Sequence, residues 1–235
     1  ILDLRIPIPR RIENTQNTKI REYCISISTS PPTNLFSGKD VDITLSIPDW
    51  IARELSHYPE FLLTHEDRMR MIIHFSKLNS EYGTGGPFAA GVFEQNTGKV
   101  ISVGVNIVVS SNCSSAHAEI MALSIAQKKL EMFDLGSPGI PSHELVVNWR
   151  PCAMCYGAVL WSGVRSLVIA GSGKELEEIT GFDEGPLHPD WKDELRKRGI
   201  NIVDNVLHEE ACKVFHAFAK SNSFVYNPCR GNPLK

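Results

Sequence analysis

A chain of 235 residues with 42% hydrophobic side chains can bury one good core, which leaves room for one domain with an appendage but not for two full domains. A net charge of −3 and a pI near 6.3 exclude the global basic field that draws a protein onto nucleic acid or an anionic membrane, so a small molecule is the expected partner. No apolar run reaches the about eighteen residues of a membrane span, residues 1–40 lack a signal-peptide apolar region, and the chain reads by default as cytoplasmic.

Residues 1–45 carry Pro7, Pro9, Pro31 and Pro32 and a polar Asn/Thr/Gln stretch, which predicts an irregular extension with at most a short strand within Tyr23 to Ser28. Residues 46–235 are then the one folded domain. A helix begins at Pro48 with Ser46 as its cap, and a second begins near Thr64, where Glu66 and Asp67 suit a first turn. In that second helix Met69, Ile72, Ile73 and Ser76 share one face. After Gly83, Gly85 and Gly86, the runs Phe88–Phe93 and Val100–Val109 read as a hairpin joined through Gln95-Asn96-Thr97-Gly98. A helix over Ser115–Leu130, a strand at Glu144–Asn148, a helix over Pro151–Ser162 and a strand at Ser166–Ala170 follow. The tail adds a helix at Asp190–Lys197, a strand at Ile200–Val206 and a helix from Glu209 to about Lys220. Strands separated by helices need crossovers, so the expected fold is α/β: a three-layer α/β/α sandwich around a five-stranded mixed sheet.

The chemistry rests on two short motifs. His117-Ala118-Glu119 and Pro151-Cys152-Ala153-Met154-Cys155 each open a helix that follows a strand, and together they match the H-x-E and P-C-x-x-C halves of the zinc deaminase signature. Alone, an H-A-E is ordinary helix surface and a C-x-x-C is a structural zinc or redox pair. Paired, they supply three zinc ligands, His117, Cys152 and Cys155, and a catalytic zinc keeps its fourth position for water. A helix N-terminus favours thiolate over thiol, and Pro151 suits a first helical position. Glu119 sits too close to His117 for a fourth ligand but within reach of that water. Zinc brings the water's pKa toward about 7, so hydroxide is the nucleophile and Glu119 the proton shuttle. A purely structural site would need a fourth protein ligand, for which Cys113 is the nearby candidate. Otherwise Cys113, Cys24, Cys212 and Cys229 read as ordinary thiols.

From about Gly86 to Tyr226 the chain resembles the cytidine/deoxycytidylate deaminase superfamily, most closely its bacterial guanine deaminase branch. The resemblance is carried by Gly86-Pro87-Phe88-Ala89-Ala90, Gly104-Val105-Asn106, both zinc motifs, the run Gly157 to Arg165, and Gly181-Phe182-Asp183-Glu184-Gly185-Pro186. It implies one Zn2+ per subunit, a homodimer at least, and conversion of guanine to xanthine and ammonia. It implies that Asn106 holds the base through an amide that donates and accepts. Glu184, with Asp183 as fallback, is implied as an acidic clamp and second proton carrier, one carboxylate accepting from a ring N–H and the adjacent amine. Phe88 would stack on the base, Trp161 would line the pocket or a subunit interface, and Tyr226 would touch substrate from a C-terminal segment. The ordinary readings stand beside these: a strand-end turn for Asn106, core for Phe88 and Trp161, a solvated acidic turn for Asp183 and Glu184. Residues 1–45 have no counterpart in this resemblance, and Met132–Ser142 lengthens a link as a surface loop.

The zinc machinery is common to deaminases of cytosine, cytidine, adenosine, guanosine and aminated triazines, so these are the alternative substrates. A polyanion such as tRNA is disfavoured by the negative net charge. A zinc-stabilised regulatory domain is the non-enzyme alternative, and it has no use for an acid such as Glu119 beside an open coordination position.

Overall fold

The computed structural model describes residues 43–227. The strand expected within Tyr23–Ser28, the thiols of Cys24 and Cys229, and all but the last three residues of the 1–45 extension lie outside the described residues.

The first helix, α1 (Trp50–Leu55), is capped at Asp49 and not at Ser46, with Ile51 N–H bonded back to Pro48 O. Helix α2 (His65–Glu81) starts where expected: the Thr64 hydroxyl accepts from Asp67 N–H, and Glu66 and Asp67 face the positive helix end. Strands β1 (Ala89–Glu94) and β2 (Val100–Val105) form the expected hairpin, with Ile101 bulged between the pairs Val92–Ser102 and Phe93–Val100. The expected second strand is too long. Asn106 Oδ1 accepts from Val108 N–H, the Ser110 and Ser111 hydroxyls bond Ile107 O, and Val108–Ser111 coils into the short helix α3.

Helix α4 (Ala118–Leu130), β3 (His143–Val147), α5 (Ala153–Ser162) and β4 (Ser166–Ile169) follow in the expected alternation. Sequence periodicity misses α6 (Glu175–Thr180), whose six residues are too few to show a period. The remaining elements are α7 (Trp191–Lys197), β5 (Asn201–Val203), shorter than expected, and α8 (His208–Lys220).

The sheet order is β2-β1-β3-β4-β5, antiparallel across β2, β1 and β3 and parallel across β3, β4 and β5. This is the expected five-stranded mixed sheet. Alternate residues feed two cores: Ala89, Phe93, Val103, Val146 and Val168 meet α1, α2, α6 and α8, while Ala90, Val92, Leu145, Leu167 and Ile169 meet α4, α5 and α7. The Met69, Ile72, Ile73 and Ser76 face of α2 is buried as its spacing predicted.

Two features fix the frame around the site. Gly104 on β2 lets α4 lie directly on the sheet, since a Cβ there would come within 2.4 Å of Ala122 N and 2.5 Å of Ala118 O. A buried ion pair, Arg68 Nη1 to Glu144 Oε1 at 2.6 Å, ties α2 to β3, with His65 Nε2 3.2 Å from the other Glu144 oxygen. The Met132–Ser142 link is not all surface: Leu135 is buried and its N–H donates to Ser162 O at the end of α5.

Candidate active site

The site forms beyond the C-terminal ends of β2 and β3, where α4 and α5 begin. His117 and Cys152 are the N-cap residues of α4 and α5, each with extended backbone, so their side chains lie at the positive ends of two helices. Pro151 therefore precedes the cap; it does not occupy the first helical turn. Its ring disfavours helical backbone at Arg150, the residue before it, so the helix does not extend back past the cap.

His117 Nδ1 and Cys152 Sγ are 3.6 Å apart, and the donor atoms of His117, Cys152 and Cys155 all lie within 4.8 Å of one another. Zinc bonds of about 2.3 Å to sulfur and about 2.0–2.1 Å to nitrogen, at a tetrahedral angle, put the two donors about 3.5–3.6 Å apart. The three donors fit zinc. Cys113 does not join them; its thiol contacts Ser115 Oγ at 3.2 Å, and among the described residues the group offers three protein ligands and no fourth.

The electrostatics match a metal site. The Cys152 thiol is drawn down to about 4, first by its hydrogen bond with Cys155 and then by His117, against the cost of burial. Cys155 is the proton-holding partner and is pushed up, by Cys152 and by burial. Burial and the charge of Cys152 raise the carboxyl of Glu119 to about 7. Burial first, then Cys152 and Glu119, raise Glu184 to about 8, with Arg150 and His117 opposing. Burial pulls His117 down, but Cys152, Glu119 and Glu184 together carry it above its ordinary value. A dication held by these donors would favour the ionised forms of Cys152, Cys155, Glu119 and Glu184 and the neutral imidazole of His117.

A cavity of about 340 Å³ is lined by His117 and Cys152 of the three donors. Of the residues expected to meet substrate, Phe88, Asn106, Asp183, Glu184 and Tyr226 line it together with Glu119. Trp161 does not. It lies two turns along α5 from Cys152, outside the cavity and 87% exposed, so neither the pocket nor the core holds it. Phe88 stands against Phe182 edge to face, centroids 5.1 Å apart. Asn106 Oδ1 is committed to Val108 N–H, which turns its NH2 donors to other partners. Asp183 Oδ1 accepts from Gly185 N–H, shaping the acidic loop. Asn227 clips the C-terminal segment over that loop: its Oδ1 accepts from Asp183 N–H and its Nδ2 donates to Gly181 O, both at 2.9 Å. The clip places Phe224 and Tyr226 on the cavity wall.

Sequence reasoning missed several wall residues. Trp149, Arg150 and Phe182 line the cavity, and Arg150 is held by Glu177 Oε1 at 3.1 Å. Asn148 is buried beneath it, accepting from Ala89 N–H and donating to Pro87 O, which sets the backbone on either side of Phe88. Arg150 and Asn148 flank the C-x-x-C motif and were open to suspicion on that ground; Trp149 and Phe182 carry no local signal.

Residues 63–171 match the family described as the cytidine and deoxycytidylate deaminase zinc-binding region. The chain is 30% identical over 151 residues to a tRNA-specific adenosine deaminase of Buchnera aphidicola subsp. Schizaphis graminum (strain Sg), covering 64% of this chain and 89% of that protein. It is similar in structure to the guanine deaminase of Nitrosomonas europaea, at 41% identity and a TM-score of 0.72, over 76% of this chain and 97% of that one. It is likewise similar to NE0047 in complex with 2,6-diaminopurine, at 42% identity and a TM-score of 0.73, over 78% and 96%.

Proposed function

The chain belongs to the cytidine/deoxycytidylate deaminase superfamily and is a zinc-binding hydrolytic deaminase; on that premise we propose that its substrate is guanine, converted to xanthine and ammonia. The observation that carries this reading is Glu184, whose carboxyl lines the same cavity as the zinc donors and Glu119. Guanine presents a ring N–H beside its exocyclic amine, and one carboxylate accepts from both. The likeness to a guanine deaminase and to a protein holding 2,6-diaminopurine supports a purine with a 2-amino group.

Zinc held by His117, Cys152 and Cys155 supplies Lewis acidity that makes water a nucleophile near neutral pH. Glu119 takes one proton from the attacking water and delivers it to the ring nitrogen beside the reacting carbon; it then carries the remaining proton of the added hydroxyl to the amine, so that the carbonyl forms as the C–N bond breaks and ammonia leaves. Its burial at the start of α4 keeps that carboxyl directed at the donors and shielded from bulk water. The NH2 of Asn106 donates to the base, Phe88 packs on its face, and Tyr226 closes the mouth. Glu184 holds the amidine edge, orients the reacting carbon toward Glu119, and serves as a second proton carrier. Asp183 contributes by shaping the loop that carries Glu184.

Residues 46–235 are the deaminase domain in this reading and residues 1–45 an extension. The protein acts in cytoplasmic purine metabolism as a homodimer. Trp161, 87% exposed on α5, supports the dimer because so large an apolar side chain is costly to leave in water. Among the described residues no helix is long and apolar enough to cross a membrane.

Ammonia release by zinc-loaded protein is the test, with guanine, guanosine, cytosine, cytidine, adenine and aminated triazines as the panel and Glu184→Gln as the control. Turnover of guanine that Glu184→Gln abolishes is the expected result. Turnover of another base with guanine inert replaces the substrate and removes the clamp role of Glu184.

A further inference from the structure

We infer that Asn79, which stands behind the cavity wall and not in it, is a positioning residue that sets Asn106 and Gly86 for substrate binding; the inference rests on the reading of Asn106 as the amide that holds the base.

Asn79 lies in the last turn of α2 and is fully buried. Its Nδ2 donates to two backbone carbonyls, Gly86 O and Asn106 O, each at 2.8 Å. Both acceptors belong to residues that line the cavity, whereas Asn79 itself does not reach it. Two carbonyl oxygens are satisfied only by N–H, so the side-chain orientation follows from chemistry. The orientation has a consequence: Asn79 Oδ1 is buried among the described residues with no hydrogen-bond partner. A buried unpaired acceptor is unfavourable, so a side chain held this way is held by its two donor bonds.

Those bonds join the two open ends of the β1–β2 hairpin. Gly86 leads into Phe88 and β1, and Asn106 leads out of β2; Asn106 N–H donates to Phe88 O at 3.1 Å across the same gap. The backbone oxygen of Asn79 accepts from Thr84 N–H at 3.0 Å and from the Thr84 hydroxyl at 3.1 Å, so the same residue also shapes the glycine loop. The approach is close enough that a Cβ on Gly85 would fall 1.9 Å from Asn106 O. With its carbonyl held by Asn79 and its Oδ1 committed to Val108 N–H, Asn106 has one rotational setting, and its NH2 points where that setting directs it. Removing the Asn79 amide takes away the hydrogen bond to Asn106 O, leaves Gly86 O with the Phe88 N–H alone, and lets the backbone carrying Asn106 and Phe88 drift. The zinc donors ride on α4 and α5 and have no contact with Asn79. The effect should therefore fall on substrate binding and not on zinc.

A double-mutant cycle tests this, with guanine as the probe: Asn79→Ala, Asn106→Ala and the two together, each assayed for kcat, KM, zinc content and melting temperature. We expect Asn79→Ala to lower kcat/KM by roughly tenfold to a hundredfold, mainly through KM, with zinc retained. Asn79→Ser, which keeps one donor, should fall between. In the Asn106→Ala background the loss from Asn79→Ala should largely disappear, because the pathway through which it acts is already gone. Losses that multiply, or an Asn79→Ala enzyme with unchanged KM, overturn the inference while leaving Asn106 in its role. If Asn106→Ala itself is unimpaired, the base-holding reading falls and this inference with it. Should Asn79→Ala fail to fold, the same cycle run with Asn79→Ser decides by the same criterion.

Discussion

His117 Nδ1 lies 3.6 Å from Cys152 Sγ although 35 residues separate them in the chain, because they cap α4 and α5, which begin at the same end of the sheet beyond β2 and β3, on either side of β1. That spacing is the one a tetrahedral zinc imposes on a nitrogen and a sulfur ligand. Metal analysis should find one zinc per chain, lost in Cys152→Ala and Cys155→Ala, with ammonia release lost in parallel. A variant that keeps stoichiometric zinc without either cysteine would show that the donors are elsewhere.

Glu119 is buried in the first turn of α4, two residues from His117. Glu119→Gln preserves shape and removes the carboxyl proposed to carry the protons. The expected outcome is a fall in kcat of about 10²–10⁴-fold with zinc content unchanged. Steady-state assays beside metal analysis check it, and a Gln variant with near-normal kcat would assign the proton transfers to another group.

Glu144 and Arg68 are both buried, and their pairing is the main electrostatic link between α2 and β3. In Glu144→Gln the Arg68 guanidinium keeps its bonds to the Leu62 and Gln95 carbonyls but loses its counter-charge. Stranding a buried charge costs about 3–5 kcal/mol, and these remaining bonds place the cost near the lower end. At about 2–4 °C per kcal/mol for a domain of this size, the melting temperature should drop by about 6–12 °C. A drop under about 2 °C would mean that water reaches Arg68.

Asp204 ties the end of β5 to α7 by accepting from Lys192 and from the Ser172 hydroxyl. Burial favours its neutral form, but these donors outweigh burial and hold its carboxyl below its ordinary 3.8. A depressed carboxylate stabilises the fold fully above the unfolded value, and that contribution is lost as pH falls through the folded one. Asp204→Asn should therefore melt below the wild type by a constant margin at neutral and mildly acidic pH, and the margin should shrink below pH 3.8. Thermal melts across this range read it directly; a margin that persists undiminished in strong acid would show that ionisation of Asp204 is not what stabilises.

Much of the fold was legible because its signals are local. The Thr64 cap with Asp67, the buried Met69, Ile72, Ile73 and Ser76 face, and the strand-helix alternation from β1 to α5 each follow from neighbours within a few residues. Where a side chain overrides the run, the reading fails: Asn106 and the serines after Val109 bend an apolar strand into α3. For Trp161 the structure excludes the pocket and core readings, which sequence alone left open beside a subunit interface. Its identity and its position on the Cys152 helix say nothing of which way that helix turns it.

The amino-acid sequence by itself pointed to His117, Cys152 and Cys155 as zinc donors and to Glu119 beside them, since His, Cys and Glu at those spacings have few other uses together, and each spacing is set within one helical turn. Only the tertiary structure decided which residues share the cavity. Phe88, Arg150, Phe182, Glu184 and Tyr226 come from a strand entry, two loops and the C-terminal segment, and they meet through long-range hydrogen bonds such as those of Asn79, Asn148 and Asn227. Such bonds join backbone groups that every residue carries, so they leave no mark in the order of side chains until the chain has folded.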